Sequence, residues 1–364
     1  MRNFCFLLIA LLVLSMQYCA PAPEKTRYYT VDDYSKVPKI DVHTHINNKE
    51  GYFADISRKD NFRLVDITLE SPGNPTVHEQ QAFAIYQMNT FPKQIIYCAA
   101  IETKEWDSAD WQAKTIAFLD SCFKNGATAV KVWKNIGMDL KDKDGKFVMI
   151  DNPRFDTIID FIEKNNATLI GHLGEPKNCW LPLDQMTVKN DREYFKNHPQ
   201  YHMFLHPEFP SYEDQINARD HMLEKHPNIR FSGAHLASLE WSLEELSKRL
   251  DKFPNMAVDM AERISHLQYL TKNDFQKVYD FFIKYQDRLE YATDLEVGVE
   301  DDSTAEVKRI HDTRFAHWKY FVTDDTITAP EIEGSFKALH LPADVVDKIY
   351  SKNAEKWFPA FTKQ

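Results

Sequence analysis

Eight short apolar runs, separated by helix-patterned segments, constrain this chain more than any other feature. They fall at residues 40–46, 62–69, 94–101, 127–133, 167–172, 229–235, 256–260 and 289–293. All are β-branched or apolar almost throughout, as strands buried on both faces must be. Strand and helix in alternation are the signature of a parallel α/β fold. Eight such units predict a (β/α)8 TIM-type barrel. An open doubly wound sheet is the alternative, disfavoured because no Gly-rich phosphate fingerprint opens any of the helices.

The intervening segments carry their own signals. Thr76-Val77-His78-Glu79 reads as a capping box that opens a helix running toward Met88. Trp111, Thr115, Phe118, Leu119 and Cys122 recur at helical spacing, and Gly126 ends the pattern. Phe155, Ile158, Ile159 and Ile162 do the same before the fifth strand, and Phe275, Val278, Phe282 and Tyr285 before the eighth. Val346, Ile349, Tyr350, Asn353 and Trp357 give a last such face. Two connections are long, 134–153 after strand four and 175–212 after strand five. In a barrel, loops at the C-terminal ends of strands build the active site, so these two are expected to shape a pocket. Asp144-Gly145 marks a tight turn within the first of them.

Residues 1–19 read as a secretion signal: Arg2 supplies the positive start, and the apolar stretch from Phe4 to Met16 is too short to span a bilayer as a helix. Cys19 stands where a bacterial lipoprotein would be acylated, with residues 20–37 as a tether and 38–360 as one barrel domain. The expectation is an exported protein at the cell envelope, touching the membrane only through a lipid on Cys19. Tyr18 departs from the small residue usual before such a cysteine, so ordinary signal cleavage is the rival and a buried cytosolic helix a third reading. Cys98, Cys122 and Cys179 are too scattered for a disulfide framework; the first two read as core, and Cys179 is given no role. The net charge of −11 argues against a nucleic-acid partner and leaves a small molecule as the expected one. Oligomeric state is not legible.

The chemistry-bearing residues fall at strand ends. His43 and His45 share one strand; residues i and i+2 face the same side about 6.5–7 Å apart. His172 closes strand five, His235 strand six, and Asp294 follows strand eight. Each alone has an ordinary explanation, a hydrogen-bonded histidine or a helix N-cap. In a barrel all five would ring one mouth. Neutral imidazoles with a carboxylate suit Zn²⁺, or another divalent metal such as Mn²⁺. Trp133 and Lys134 beyond strand four, Glu175 beyond strand five and Arg263 beyond strand seven are further pocket candidates, each with a solvated-surface alternative. An arginine at 263 could clamp a carboxylate bidentately. Asp259 could orient a ligand or cap a loop. His202 and His206 are four apart, but Pro207 makes their segment loop-like rather than helical.

The motifs Ile40-Asp41-Val42-His43-Thr44-His45, Ala129-Val130-Lys131-Val132, Gly233-Ala234-His235 and Thr293-Asp294, with His172 and the closing segment from Leu341 to Ala354, resemble the amidohydrolase superfamily. The likeness is to its amidohydrolase-2 type, the branch of single-metal (β/α)8 hydrolases and decarboxylases. The resemblance implies one divalent metal per chain on His43, His45, His172 and Asp294. It implies Asp294 and His235 as the catalytic pair, the first as proton acceptor and the second orienting water or stabilising an oxyanion. Lys131 has two readings: unmodified and near a substrate anion, as in the single-metal branch, or carboxylated and bridging two metals. The reaction expected is hydrolysis of an ester, lactone or amide in a small carboxylated or sugar-derived molecule. A decarboxylase of an unsaturated or aromatic acid is the alternative, and a non-catalytic binding lipoprotein the third.

Overall fold

In the computed structural model, residues 26–362 are described. The signal, Cys19 and the start of the tether lie outside them. Among the described residues no helix is long and apolar enough to cross a membrane.

The predicted strands are present as β1 (Lys39–Ile46), β2 (Phe62–Ile67), β3 (Ile95–Ala100), β4 (Ala127–Val132), β5 (Thr168–Gly171), β6 (Arg230–Gly233), β7 (Met256–Asp259) and β8 (Leu289–Glu290). The eighth is interrupted and resumes as β9 (Leu295–Val297). All neighbours pair in parallel and in chain order. β8 pairs with β7 and β9 pairs with β1, so one stretch of chain joins both edges and closes the barrel. Val42 N donating to Tyr291 O at 3.1 Å and Asp294 N donating to His43 O at 2.9 Å carry the seam across the interruption. That closure excludes the open doubly wound sheet.

The helices fall where periodicity and caps place them: Val77–Thr90, Trp111–Lys124, Pro153–Lys164 and Phe275–Lys284 among others. The Thr76–Glu79 capping box is formed, and Gly126 takes a left-handed φ of +99° between the end of the helix Trp111–Lys124 and the start of β4. Their apolar faces pack against the outside of the sheet in one large cluster. A second cluster fills the barrel with Ile40, Val42, Val65, Ile67, Ile96, Cys98, Ala129 and Ile170, plugged from below by Trp357, Phe358 and Phe361. Trp357 Nε1 donates to Phe231 O at 3.1 Å, and Arg63 holds Glu355 at 2.5 Å, tying the plug to two strands. A two-stranded antiparallel hairpin, β10 (Thr326–Thr328) and β11 (Ser335–Lys337), lies outside the barrel.

One irregularity matters for function. In β1, Asp41 pairs with Leu64 but Thr44 pairs with Asp66, one residue short. This bulge changes the phase of the strand. Ile40 and Val42 point into the barrel below it, and His43 and His45 point inward above it, while Asp41 faces outward to Arg314. A regular strand could not place Val42 and His43 on the same side.

Candidate metal centre

The inward residues of the upper strands change character from apolar to ionisable within one layer. Above Ala129 stands Lys131, above Ile170 His172, above Ala257 Asp259 and above Ala292 Asp294. His43, His235 and Asp294 form a compact group whose ligand atoms all lie within 4.8 Å of one another. Asp294 Oδ1 is 3.2 Å from His43 Nε2 and 3.1 Å from His45 Nε2; its Oδ2 is 3.8 Å from His235 Nε2. The His172 ring lies against His235, with centroids 4.1 Å apart.

The far nitrogens of these rings settle their tautomers. His45 Nδ1 donates to Ile67 O at 2.7 Å and His235 Nδ1 to Ala261 O at 2.9 Å; a carbonyl can only accept. His43 Nδ1 donates to Asp259 Oδ2 at 2.9 Å. In the neutral rings each Nε2 is therefore a lone pair turned toward Asp294. Burial pushes His172 and His235 well below the usual histidine range, so both rings are neutral, and their Nε2 atoms have no hydrogen-bond partner among the described residues. Burial works to raise the Asp294 carboxyl, yet His43, His45 and His235 hold it well below the ordinary value. Imidazole nitrogens and a carboxylate facing one another call for positive charge between them, a proton or a metal ion; burial works to lower His45, yet the hydrogen bond and charge of Asp294 raise it. The donor set thus fits a divalent metal, with outer hydrogen bonds orienting each imidazole as metal-ligating histidines need. Lys131 Nζ supplies a proton donor at the edge, 3.0 Å from His43 Nε2; burial lowers its pKa against the pull of Asp294 and Asp259.

Local backbone is bent to reach this arrangement. His235, Leu236, Ala237 and Ser238 all have positive φ, between +54° and +59°. Left-handed turns cost about 1–2 kcal/mol per residue and persist where surroundings over-determine them. Here His235 N donates to Asp259 Oδ1 at 2.8 Å, and Ser238 Oγ donates to Gly174 O at 2.8 Å. Gly233 permits the turn, because a Cβ there would meet Ala237 Cβ at 2.6 Å. Asp294 itself sits at φ +66° in the β8–β9 interruption.

Of the other sequence candidates, Lys134, Glu175 and Arg263 line a cavity of about 390 Å³ over His172, His235 and Asp294. Lys134 is ion-paired to Glu175. Arg263 is buried; its Nη1 donates to Glu262 O at 3.1 Å, it makes no ion pair among the described residues, and its Nε has no partner. Burial opposes its charge, but Asp191, Glu240, Glu175 and Glu262 around it keep it protonated. Trp133 stands in the adjoining cavity. His202 and His206 donate to Leu181 O and Pro199 O at 2.8 and 2.9 Å, away from the centre. Cys98, Cys122 and Cys179 are all buried free thiols. Sequence reading placed Asp259 only loosely and missed Asp41, whose Oδ2 accepts from Thr293 Oγ1 at 2.7 Å beside Asp294. The acidic residue within the Asp41–His45 motif was the available signal for it.

A crystal structure of 2,6-dihydroxybenzoate decarboxylase from Rhizobium is similar at a TM-score of 0.52 and 14% identity, covering 89% of this chain and 99% of that one. A structure described as amidohydrolase II also gives 0.52 and 14%, covering 88% and 99%. At that identity the likeness is one of fold. No curated protein matches the chain. The family model Amidohydro_2, described as amidohydrolase, matches residues 40–360, and the chain belongs to that family.

Proposed function

We propose that the protein is a metal-dependent hydrolase of an ester, lactone or amide bond in a small anionic substrate. The observation that carries this is the convergence of imidazole Nε2 atoms on the Asp294 carboxylate beneath a cavity containing a buried Arg263 that makes no ion pair among the described residues. His43, His45, His172 and Asp294 would hold one divalent ion, Zn²⁺ or Mn²⁺. Such an ion supplies Lewis acidity toward a carbonyl and lowers the pKa of water.

The chain's own groups do the rest. Asp294 Oδ1 is engaged by His43 and His45, which leaves Oδ2 to accept the proton of the attacking water. His235, at 3.8 Å from that oxygen, faces the same point with its Nε2 lone pair and orients the attacking water by accepting one of its protons in a hydrogen bond. As the C–O or C–N bond breaks, the proton on Asp294 passes to the leaving oxygen or nitrogen. Arg263 holds a substrate carboxylate bidentately, and the low-dielectric setting strengthens that contact. Lys131 acts unmodified, its Nζ lying 3.0 Å from His43 Nε2; burial lowers its pKa, and Asp294 and Asp259 oppose that shift.

Decarboxylation of an unsaturated or aromatic acid is the second reading. Arg263 would hold the carboxylate that is lost, and the similar Rhizobium structure carries that activity in its name. Cys19 as a lipid anchor and export to the envelope belong to the same proposal.

The test is metal stoichiometry and product analysis on residues 20–364. One metal per chain, kept in Lys131→Ala, supports the single-ion reading; two metals with one lost in that variant means a bridging lysine. Incorporation of ¹⁸O from water marks hydrolysis, and release of CO₂ marks the lyase. A protein that binds no metal even after reconstitution sinks both.

A further inference from the structure

The metal pocket is the inner end of a longer cleft. Lys134, Glu175 and Tyr194 line both the 390 Å³ metal pocket and a neighbouring cavity of about 320 Å³. That second cavity shares Trp133, Asn135 and Asp139 with a third, of about 580 Å³, opening to solvent. A single small acid would fill only the first.

The middle cavity has a distinctive surface. Tyr194 and Tyr201 lie nearly parallel, 9° apart with centroids at 6.4 Å, and His198 stacks on Tyr194 at 4.5 Å. Both tyrosine rings are open, 43% and 47% exposed. Four of the eight large exposed hydrophobic side chains among the described residues, Tyr194, Tyr201, Phe204 and Leu205, sit on this one segment, which is a patch rather than scatter. The rim is polar: Asn135, Gln200, Asp139 and the Lys134–Glu175 pair. The platform is also held in place. Cys179 Sγ donates to Tyr201 O at 3.1 Å, Asn178 donates to Asp191 at 2.8 Å, and His266 pairs with the same carboxylate at 3.2 Å. Ordered, half-exposed aromatic rings supply contact area at little entropic cost on binding.

An aromatic floor with a rim of carboxylate, amide and ammonium groups suits one chemistry best. A pyranose ring offers C–H bonds on its face and hydroxyls around its edge. Lys134 and Glu175 already hold one another, but a flat aryl group would offer nothing to the Gln200 amide and the Asp139 carboxylate at the rim. The outer cavity continues the polar character with Glu70, Glu102, Lys104 and Lys141.

We propose that the substrate is a two-part molecule whose reacting group enters the metal pocket while a covalently attached pyranose ring rests on Tyr194 and Tyr201. This deepens the metal-dependent reading above and rests on it for the reacting group alone. Tyr201 and Trp133 then set specificity without touching the reacting atoms.

The experiment is saturation-transfer NMR on the metal-loaded protein with a panel of methyl glycosides of glucose, galactose, mannose, xylose and glucuronic acid, and 4-nitrophenol as the aryl probe. At least one glycoside is expected to receive saturation on its ring C–H protons. Its affinity is expected to fall about ten-fold in Tyr201→Ala, the loss of one aromatic contact. Phe204→Ala, on the same loop outside the cleft, controls for loop damage and is expected to bind as wild type. Asp294→Asn is expected to lose metal and turnover yet keep glycoside binding, which separates failure of the catalytic reading from failure of this one. Binding by 4-nitrophenol alone, or no probe binding in a Tyr201-dependent way, overturns the proposal.

Discussion

Asp259 lies directly behind His43, with Oδ2 at 2.9 Å from the ring's Nδ1 and both side chains almost wholly buried. Its other oxygen accepts from the backbone N–H of His235 at 2.8 Å and of Ala261 at 3.1 Å. One carboxylate thus positions residues from two strands, and its acceptor-only character is essential because three donors face it. Asp259→Asn puts an NH₂ against one of those donors. Metal affinity is expected to fall about 10–100-fold, the usual cost of losing a hydrogen bond behind a ligating histidine. Competition against a chelator of known affinity measures it, and unchanged affinity would show that His43 needs no orientation.

Asp41 and Arg314 form a second buried pair, 2.9 Å apart with neither side chain exposed. Asp41 also accepts from Thr293 N at 3.1 Å, so the pair braces the barrel seam beside Asp294. Arg314→Leu strands a buried carboxylate and is expected to cost about 3–5 kcal/mol. Adding Asp41→Asn removes the stranded charge and is expected to recover part of the loss. Urea midpoints of the two variants decide it; a cost below about 1 kcal/mol for Arg314→Leu would mean that water reaches the pair.

The fold was legible because each strand is an apolar run of the right length and each helix carries its own periodicity or cap. Thr76, Gly126 and the closing face at Ile349 and Trp357 show this residue by residue. The site was legible in its histidines, since strand ends in a barrel share a mouth. What could not be read is tertiary. No local pattern announces the extra residue in β1 that turns His43 inward beside Val42, or the left-handed run from His235 to Ser238, which rests on Asp259 and Gly174 far along the chain. Arg314 is invisible for the same reason: a charged residue in an amphipathic helix reads as solvated, yet its partner lies across the barrel wall.

His172 and His235 divide their roles in a way that metal content can read. The sequence resemblance gives His172 to the metal and His235 to the reaction, whereas the compact donor group in the fold contains His235, with His172 packed on its far side. Both Nε2 atoms are buried and without a partner, so each ring is free to ligate. The proposed assignment expects His172→Asn to lose bound metal and His235→Asn to retain it while turnover drops by at least about 10²-fold, the scale of losing a group positioned on the proton in flight. Elemental analysis of both variants checks this, and the opposite pattern would exchange the two roles.

Glu290 predicts how stability depends on pH. It is fully buried inside the barrel; Ser232 Oγ donates to its Oε2 at 2.6 Å, and its Oε1 has no partner among the described residues. Burial pushes its carboxyl up to about 8, from an ordinary value of 4.5, so the folded chain carries a proton that the unfolded chain has released across that window. Stability from this group is therefore full below the unfolded value and falls as pH rises toward 8, by up to about 1.4 kcal/mol per pH unit. Glu290→Gln keeps an oxygen for Ser232 and removes the titration. Relative to wild type, its urea midpoint is expected to rise steadily between pH 5 and pH 8 and then level off. Parallel wild-type and variant profiles over that range would mean that the carboxyl is ionised in the folded barrel, with water or a cation beside it.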